Sequence, residues 1–277
     1  MRYVLLYHLG LGDHIVMSGY VHYLLQQTNT KEILILVKDN YSKHTVQDLY
    51  SDYPEISLYY FNDDTDMLFC AVNRQPKDST ISYNNTEYII KNFGCHSQSG
   101  KIYMPQLSWA DSFYLSDNIS PLIRYNYFRL PTDMDCSKNM HSRLIEILKT
   151  DKYILLHDDP SRGRPLNYDY VNQIIYKNGN TNLPIIYLGL NRYNFSLISP
   201  PDYSIQEVQA CLNCKSILDL YDTIANATEC HFMDSSIACL TDQIKDSKSL
   251  LYNHSYASHA HITLDNITLV NRKWVSL

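Results

Sequence analysis

Near the start of the chain, Leu9-Gly10-Leu11-Gly12-Asp13-His14 sets two glycines and an acid between an apolar run and a longer apolar-periodic run. Glycines let a backbone turn sharply and approach a ligand closely. A carboxylate just past such a turn has two uses. It caps a helix by accepting orphan N–H groups, or it stands at a cleft and takes a proton from a substrate hydroxyl. Two later stretches suit anions. His157-Asp158-Asp159-Pro160-Ser161-Arg162-Gly163-Arg164-Pro165 places two guanidinium groups around a glycine. Arginine binds phosphate oxygens bidentately and keeps its charge at every relevant pH. Met233-Asp234-Ser235-Ser236 offers two hydroxyls and the N–H groups of a helix start, the geometry that holds phosphates. Each of these two loops also has a plainer reading, as a solvated turn or a helix cap.

Other candidates are weaker. Asp63-Asp64-Thr65-Asp66 and Asp133-x-Asp135 are acidic pairs of the kind that hold a divalent metal on a diphosphate. A polar turn explains them equally well. His254, His259 and His261 lack an acid at metal-binding spacing, and Cys211-x-x-Cys214 is a lone pair of thiols. Gly10-x-Gly12 is not a complete dinucleotide fingerprint, and neither a G-x-S-x-G elbow nor a G-x-x-x-x-G-K-[ST] loop occurs.

The elements that position these residues alternate. Arg2–His8 reads as a strand, Asp13–Gln27 as a helix and Glu32–Val37 as a strand. Thr45–Tyr50 is a short helix, Ser57–Phe61 a strand, Asp66–Asn73 a helix and Tyr88–Ile90 a further strand. An aromatic-rich middle follows, from Gly94 to Asp135, and then a helix over Met140–Lys149. The pattern restarts with a strand at Tyr153–His157, a helix at Tyr168–Lys177 and a strand at Leu183–Gly189. Ile205–Ala210 and Ser216–Ala225 are helical, Glu229–Met233 is a strand, Ser235–Asp242 a helix and Ser249–Tyr252 a strand. Such alternation predicts parallel βαβ units. The expected fold is α/β, with two Rossmann-like domains facing across a cleft, residues 1–150 and 151–277. In open sheets of this kind ligands sit beyond the carboxyl ends of the strands, which is where the three loops fall.

The chain has 277 residues, 45% of them hydrophobic, enough for two modest cores. A net charge of −6 argues against nucleic acid as a partner. No apolar run is long enough to span a membrane. The start lacks signal-peptide architecture, and the seven cysteines are scattered, so reduced thiols and a cytoplasmic location are expected.

The loops resemble a known family. Leu9-Gly10-Leu11-Gly12-Asp13-His14-Ile15 is similar to the N-terminal glycine–Asp turn of heptosyltransferase-like (family 9) GT-B glycosyltransferases. Phe232-Met233-Asp234-Ser235-Ser236-Ile237-Ala238 resembles their Thr-Asp-Ser-Gly donor-site turn. The basic loop after His157 is similar to the phosphate-binding arginine loop of fucosyltransferase-type GT-B enzymes. The resemblance covers both ends of the chain and does not extend through residues 40–150. Met233 stands where threonine is usual, and Ser236 where glycine is usual. No lysine matches the family's basic donor-loop residue, so Arg162 or Arg164 would substitute.

The resemblance implies a glycosyltransferase that moves a sugar from a nucleotide-sugar donor to a glycan or other hydroxyl acceptor. It implies inversion, with Asp13 as general base and neither metal nor further cofactor. Gly10, Gly12, His157, Arg162, Arg164, Asp234, Ser235 and Ser236 would bind the donor. His14, Trp109, Asp111 and Arg124 would contact the acceptor. Two alternatives stay open: a metal-dependent GT-A transferase using Asp64 and Asp66, and a catalytically silent protein that binds nucleotide sugars or glycans.

Overall fold

Strand β1 (Arg2–Leu6) is an almost wholly buried apolar run, as expected of a strand with parallel neighbours on both sides. Those neighbours are β2 (Glu32–Lys38) and β5 (Thr86–Asn92). The computed structural model describes residues 1–7, 10–27, 29–39, 43–93, 109–158, 165–188, 204–233, 235–244, 247, 249–254 and 274–276. They form two compact units, Met1–Thr132 and Asp133–Leu277.

The first unit carries a five-stranded sheet in the order β3-β2-β1-β5-β4. Strand β3 is Ile56–Phe61 and β4 is Thr80–Tyr83. Only β4 runs antiparallel, paired with β5. The turn between them is Asn84-Asn85, with φ of 49° and 60°. Asparagine tolerates that left-handed conformation, and two such residues in succession make a tight hairpin. Chain flow from β1 moves outward through α1 (Leu11–Gln27) to β2 and β3. It then returns to the other side of β1 as β5. The topological switch point therefore lies between β1 and β5, directly above the Gly10–Asp13 turn.

Helix α1 is buried on most of its circumference. It crosses the short helix α5 (Ile123–Asn126) at very close range. A Cβ added at Gly19 would lie 2.5 Å from the Arg124 carbonyl oxygen and 2.8 Å from its Cα. Only glycine permits that approach, because the obstacle is backbone. Helix α4 (Trp109–Leu115) also packs on α1, and Tyr114 on α4 donates its hydroxyl to the Val16 carbonyl at 2.6 Å. At the edge of this layer Asp117 accepts from Tyr20 at 2.6 Å and pairs with Lys77 and Lys91 at 2.8 and 3.1 Å.

The second unit has an all-parallel sheet in the order β10-β9-β8-β6-β7. Its strands are β6 (Ile154–His157), β7 (Ile185–Tyr187), β8 (Glu229–Phe232), β9 (Leu250–Asn253) and β10 (Trp274–Ser276). Strand β6 continues outward through α7 (Tyr168–Lys177) to β7. Strand β8 continues the opposite way through α10 (Ser236–Gln243) to β9. The switch point thus lies between β6 and β8, where the basic loop and the Met233–Ser236 turn both emerge. Helix α6 (Asp135–Leu148) packs on α8 (Ile205–Cys211) and α9 (Tyr221–Ala225). It belongs to the second unit, although the sequence pattern restarts only after it, near Thr150. No helix among the described residues is long and apolar enough to cross a membrane.

Candidate functional site

In the first unit, Gly10 N–H donates to Asp13 Oδ2 at 3.1 Å. The Gly10 carbonyl in turn accepts from the N–H groups of Asp13 and His14 at 3.1 and 3.3 Å. This is the acidic half of a capping box, with glycine as the N-cap. The cap bond orients the carboxylate. Asp13 is 9% exposed, at the switch point, so the two uses of this acid are compatible. Burial, then Tyr50 and after it Asp13, push the Tyr7 hydroxyl well above its ordinary pKa.

His14 turns inward. Its Nδ1 lies 3.1 Å from the Tyr7 hydroxyl and its ring packs edge-on against Tyr7. Burial holds it neutral, with its pKa lowered to about 3. Asp111 and Arg124 are buried as well, and Arg124 is the largest fully buried side chain. Both lie near Tyr114, whose hydroxyl is raised chiefly by burial, eased by the Arg124 charge and raised further by Asp111. Trp109 opens α4, and its side chain lies outside the described residues.

In the second unit, His157 ends β6, and its carbonyl accepts from Met233 N–H at 3.0 Å. That bond joins the two loops at the switch point. His157 Nδ1 meets the Leu188 carbonyl. A carbonyl only accepts, so the proton sits on Nδ1. Asp158 is an anchor that the sequence reading did not single out. Its carboxylate accepts from Leu166 N–H at 3.0 Å, Tyr168 OH at 2.9 Å and Tyr187 OH. These bonds pin both ends of the basic loop to the sheet edge. Arg162 and Arg164, within the loop, lie outside the described residues, as does Asp234. Ser235 caps α10, accepting from Ala238 N–H at 3.2 Å, and Ser236 is the first residue of that helix.

The acidic turn after β3 is engaged in local bonds. Asp66 caps α3 (Met67–Arg74), accepting from Phe69 N–H at 2.9 Å, and its other oxygen accepts from Tyr59 OH at 2.8 Å. Asp64 faces Lys38 Nζ at 3.4 Å, and Asp63 takes the Thr65 N–H at 2.8 Å. Among the described residues no three ligating side chains converge to hold a metal.

One buried polar cluster joins His254 to two residues, Glu229 and His231, that no candidate motif included. Glu229 and His231, both wholly buried, bond through Oε2 and Nε2 at 3.0 Å. His231 Nδ1 lies 3.1 Å from His254 Nε2. Asn178, the C-cap of α7, and Asn180 both donate to Glu229 Oε1. Burial pushes the Glu229 carboxyl up, but the bonds from His231, Asn180 and Asn178 outweigh it and leave the pKa below the usual value.

Two successive Rossmann-like units, each with its loops at a switch point, define the GT-B type of glycosyltransferase fold. One solved structure agrees with that fold. The chain is similar over its whole length to the glycosyl transferase family 9 structure from Veillonella parvula, at TM-score 0.54 and 10% identity, covering 85% of that chain. It also aligns with the E. coli heptosyltransferase WaaC with ADP, at TM-score 0.41 and 9% identity, over 97% of this chain and 96% of that one. No protein-family model matches the sequence, and no curated protein sequence does. At 10% identity the first likeness establishes the fold.

Proposed function

We propose that this protein transfers a sugar from a nucleotide-sugar donor to a hydroxyl acceptor. The observation that carries the reading is the position of the motifs. The glycine–Asp turn sits at the switch point of the first sheet, and two anion-suited loops share the switch point of the second. The solved family 9 structure lends its fold to the same reading.

In the first unit Asp13 accepts the proton of the attacking hydroxyl. Gly10 holds the carboxylate, in the turn that Gly12 shares. Trp109 and Asp111 belong to the acceptor side, with His14 and Arg124 supporting that wall from beneath. In the second unit the donor diphosphate meets His157, Asp234, Ser235, Ser236 and the N-terminus of α10. Arg162 and Arg164 neutralise the charge that builds on the departing diphosphate. Transfer is a single displacement with inversion, and these groups supply the charge stabilisation without a metal. The Asp66 carboxylate, taken up by its helix cap and by Tyr59, favours this over a metal-bound donor.

A ligand that binds only the folded state raises its stability by mass action. A thermal-shift screen against UDP-, GDP-, ADP- and dTDP-sugars should therefore show a rise in Tm with at least one of them, undiminished by EDTA. A flat response to all four classes overturns the reading.

A further inference from the structure

Glu229 and His231 are two residues apart on β8, so their side chains share one face of the sheet. His254 follows β9, and its N–H donates to the carbonyl of Phe232, the last residue of β8, at 3.0 Å. The three side chains therefore form a file that starts at the amino end of β8 and ends at the sheet's carboxyl edge, one strand from the Met233–Ser236 turn. Helix α7 covers the file. Asn178, at the helix's C-terminal end, reaches Glu229, and the Tyr170 ring, in its first turn, lies 6.4 Å from the His254 ring. From β9, Tyr252 stacks on His231 at 4.6 Å and takes a second bond from Asn178 at 2.7 Å. The side chains bond one another in series and do not converge on a point.

With both rings neutral, hydrogen-bond bookkeeping fixes the protons. The Glu229 carboxylate only accepts, so His231 Nε2 carries hydrogen. Neutral His231 then has a bare Nδ1, and His254 Nε2 must donate to it. That leaves His254 Nδ1 bare.

We propose that Glu229, His231 and His254 form a proton relay that presents His254 Nδ1 as a hydrogen-bond acceptor at the carboxyl edge, where it receives a hydroxyl of the bound nucleotide sugar. The hydroxyl half rests on the transferase reading above; the relay half does not. The relay also carries charge inward. When a solvent proton adds to His254 Nδ1, the bridging proton moves from His254 Nε2 to His231 Nδ1. The positive charge then rests on His231, against Glu229. Only N–H bonds form and break, and the outer nitrogen changes from acceptor to donor.

Nitrogen-15 NMR of the histidine rings in the full-length protein, without ligand, tests the relay. Above about pH 8, where histidine is neutral, His231 and His254 should both be protonated at Nε2. In Glu229→Gln the amide can donate to His231 Nε2, so both rings should switch to Nδ1–H. A wild-type His254 protonated at Nδ1 under these conditions overturns the relay, whether or not the variant folds. The hydroxyl half is tested with the nucleotide sugar that stabilises the protein. Removing the hydroxyl that His254 receives should weaken binding about tenfold in the wild type, the usual cost of one lost hydrogen bond. A 2′-deoxyribose analogue and a deoxy-sugar analogue separate the two sources of that hydroxyl. Equal affinity for both analogues and the parent, or no binding by any nucleotide sugar, overturns the hydroxyl half alone.

Discussion

Asp13→Asn should lose about 10²- to 10⁴-fold in kcat for glycosyl transfer, the usual contribution of a positioned general base. The fold should survive, because an asparagine oxygen still accepts the Gly10 N–H that Asp13 now holds at 3.1 Å. The amide cannot take up the acceptor's proton. Asp13→Ala removes the cap as well, and should cost about 1 kcal/mol of stability in addition. Comparing kcat and Tm for the two variants separates the roles: capping appears in the melting temperature, proton transfer in the rate. An Asn variant with wild-type kcat eliminates Asp13 as the base.

A steep loss of stability on acidification is the second large effect. His14, His22 and His254 are each at least nine-tenths buried, and burial lowers their pKa values to about 3, 4 and 3. Charge on Arg129 lowers His22 further, and charge on His231 lowers His254. In the unfolded chain each titrates near 6.5. The unfolded state therefore binds more protons between those limits. The stabilising contribution is complete above about pH 6.5 and is lost as pH falls towards 4 for His22 and 3 for the others. At pH 5 each histidine forfeits about 2 kcal/mol, so the three together remove about 6 kcal/mol. That is comparable with the whole stability of many domains. Urea titrations at pH 7.5 and 5 should show it as a fall in midpoint, with a slope approaching three protons. Equal midpoints at the two pH values would mean that the rings are solvated or charged in the folded state.

The sequence made the parallel core legible because buried central strands are apolar on both faces. Ile33 to Val37 is an unbroken apolar run, and Val4–Leu6 is another. The helix starts were legible for a different reason: Asp66, Asn167 and Ser235 are all good N-caps, and all three cap. Strand β4 was missed because its sequence, Thr80–Tyr83, is half-exposed at a sheet edge and lacks an apolar run. The short β10 was missed for want of length. At the candidate sites, local chemistry was readable and partnership was not. Gly10 and Asp13 are three residues apart, so their mutual cap is a local pattern. Asp158 bonds to Tyr187 across 29 residues, and no spacing rule announces that contact. The histidines near the C-terminus lack an acid in sequence, yet Glu229 reaches His254 through His231 once β8 and β9 pair. His14 follows Asp13 directly, and one step along a helix turns a side chain by about 100°, so its contact with Tyr7 is not announced by its place beside the acid.

Sugar transfer without a metal can be read by counting products. Purified protein is incubated in EDTA with a stabilising nucleotide sugar and a glycan acceptor, and nucleoside diphosphate and glycoside are both quantified. One nucleoside diphosphate should be released per glycoside formed, at a rate that EDTA leaves unchanged. Release that stops in EDTA and returns with added divalent cation would contradict it, as would firm donor binding with no transfer to any hydroxyl acceptor.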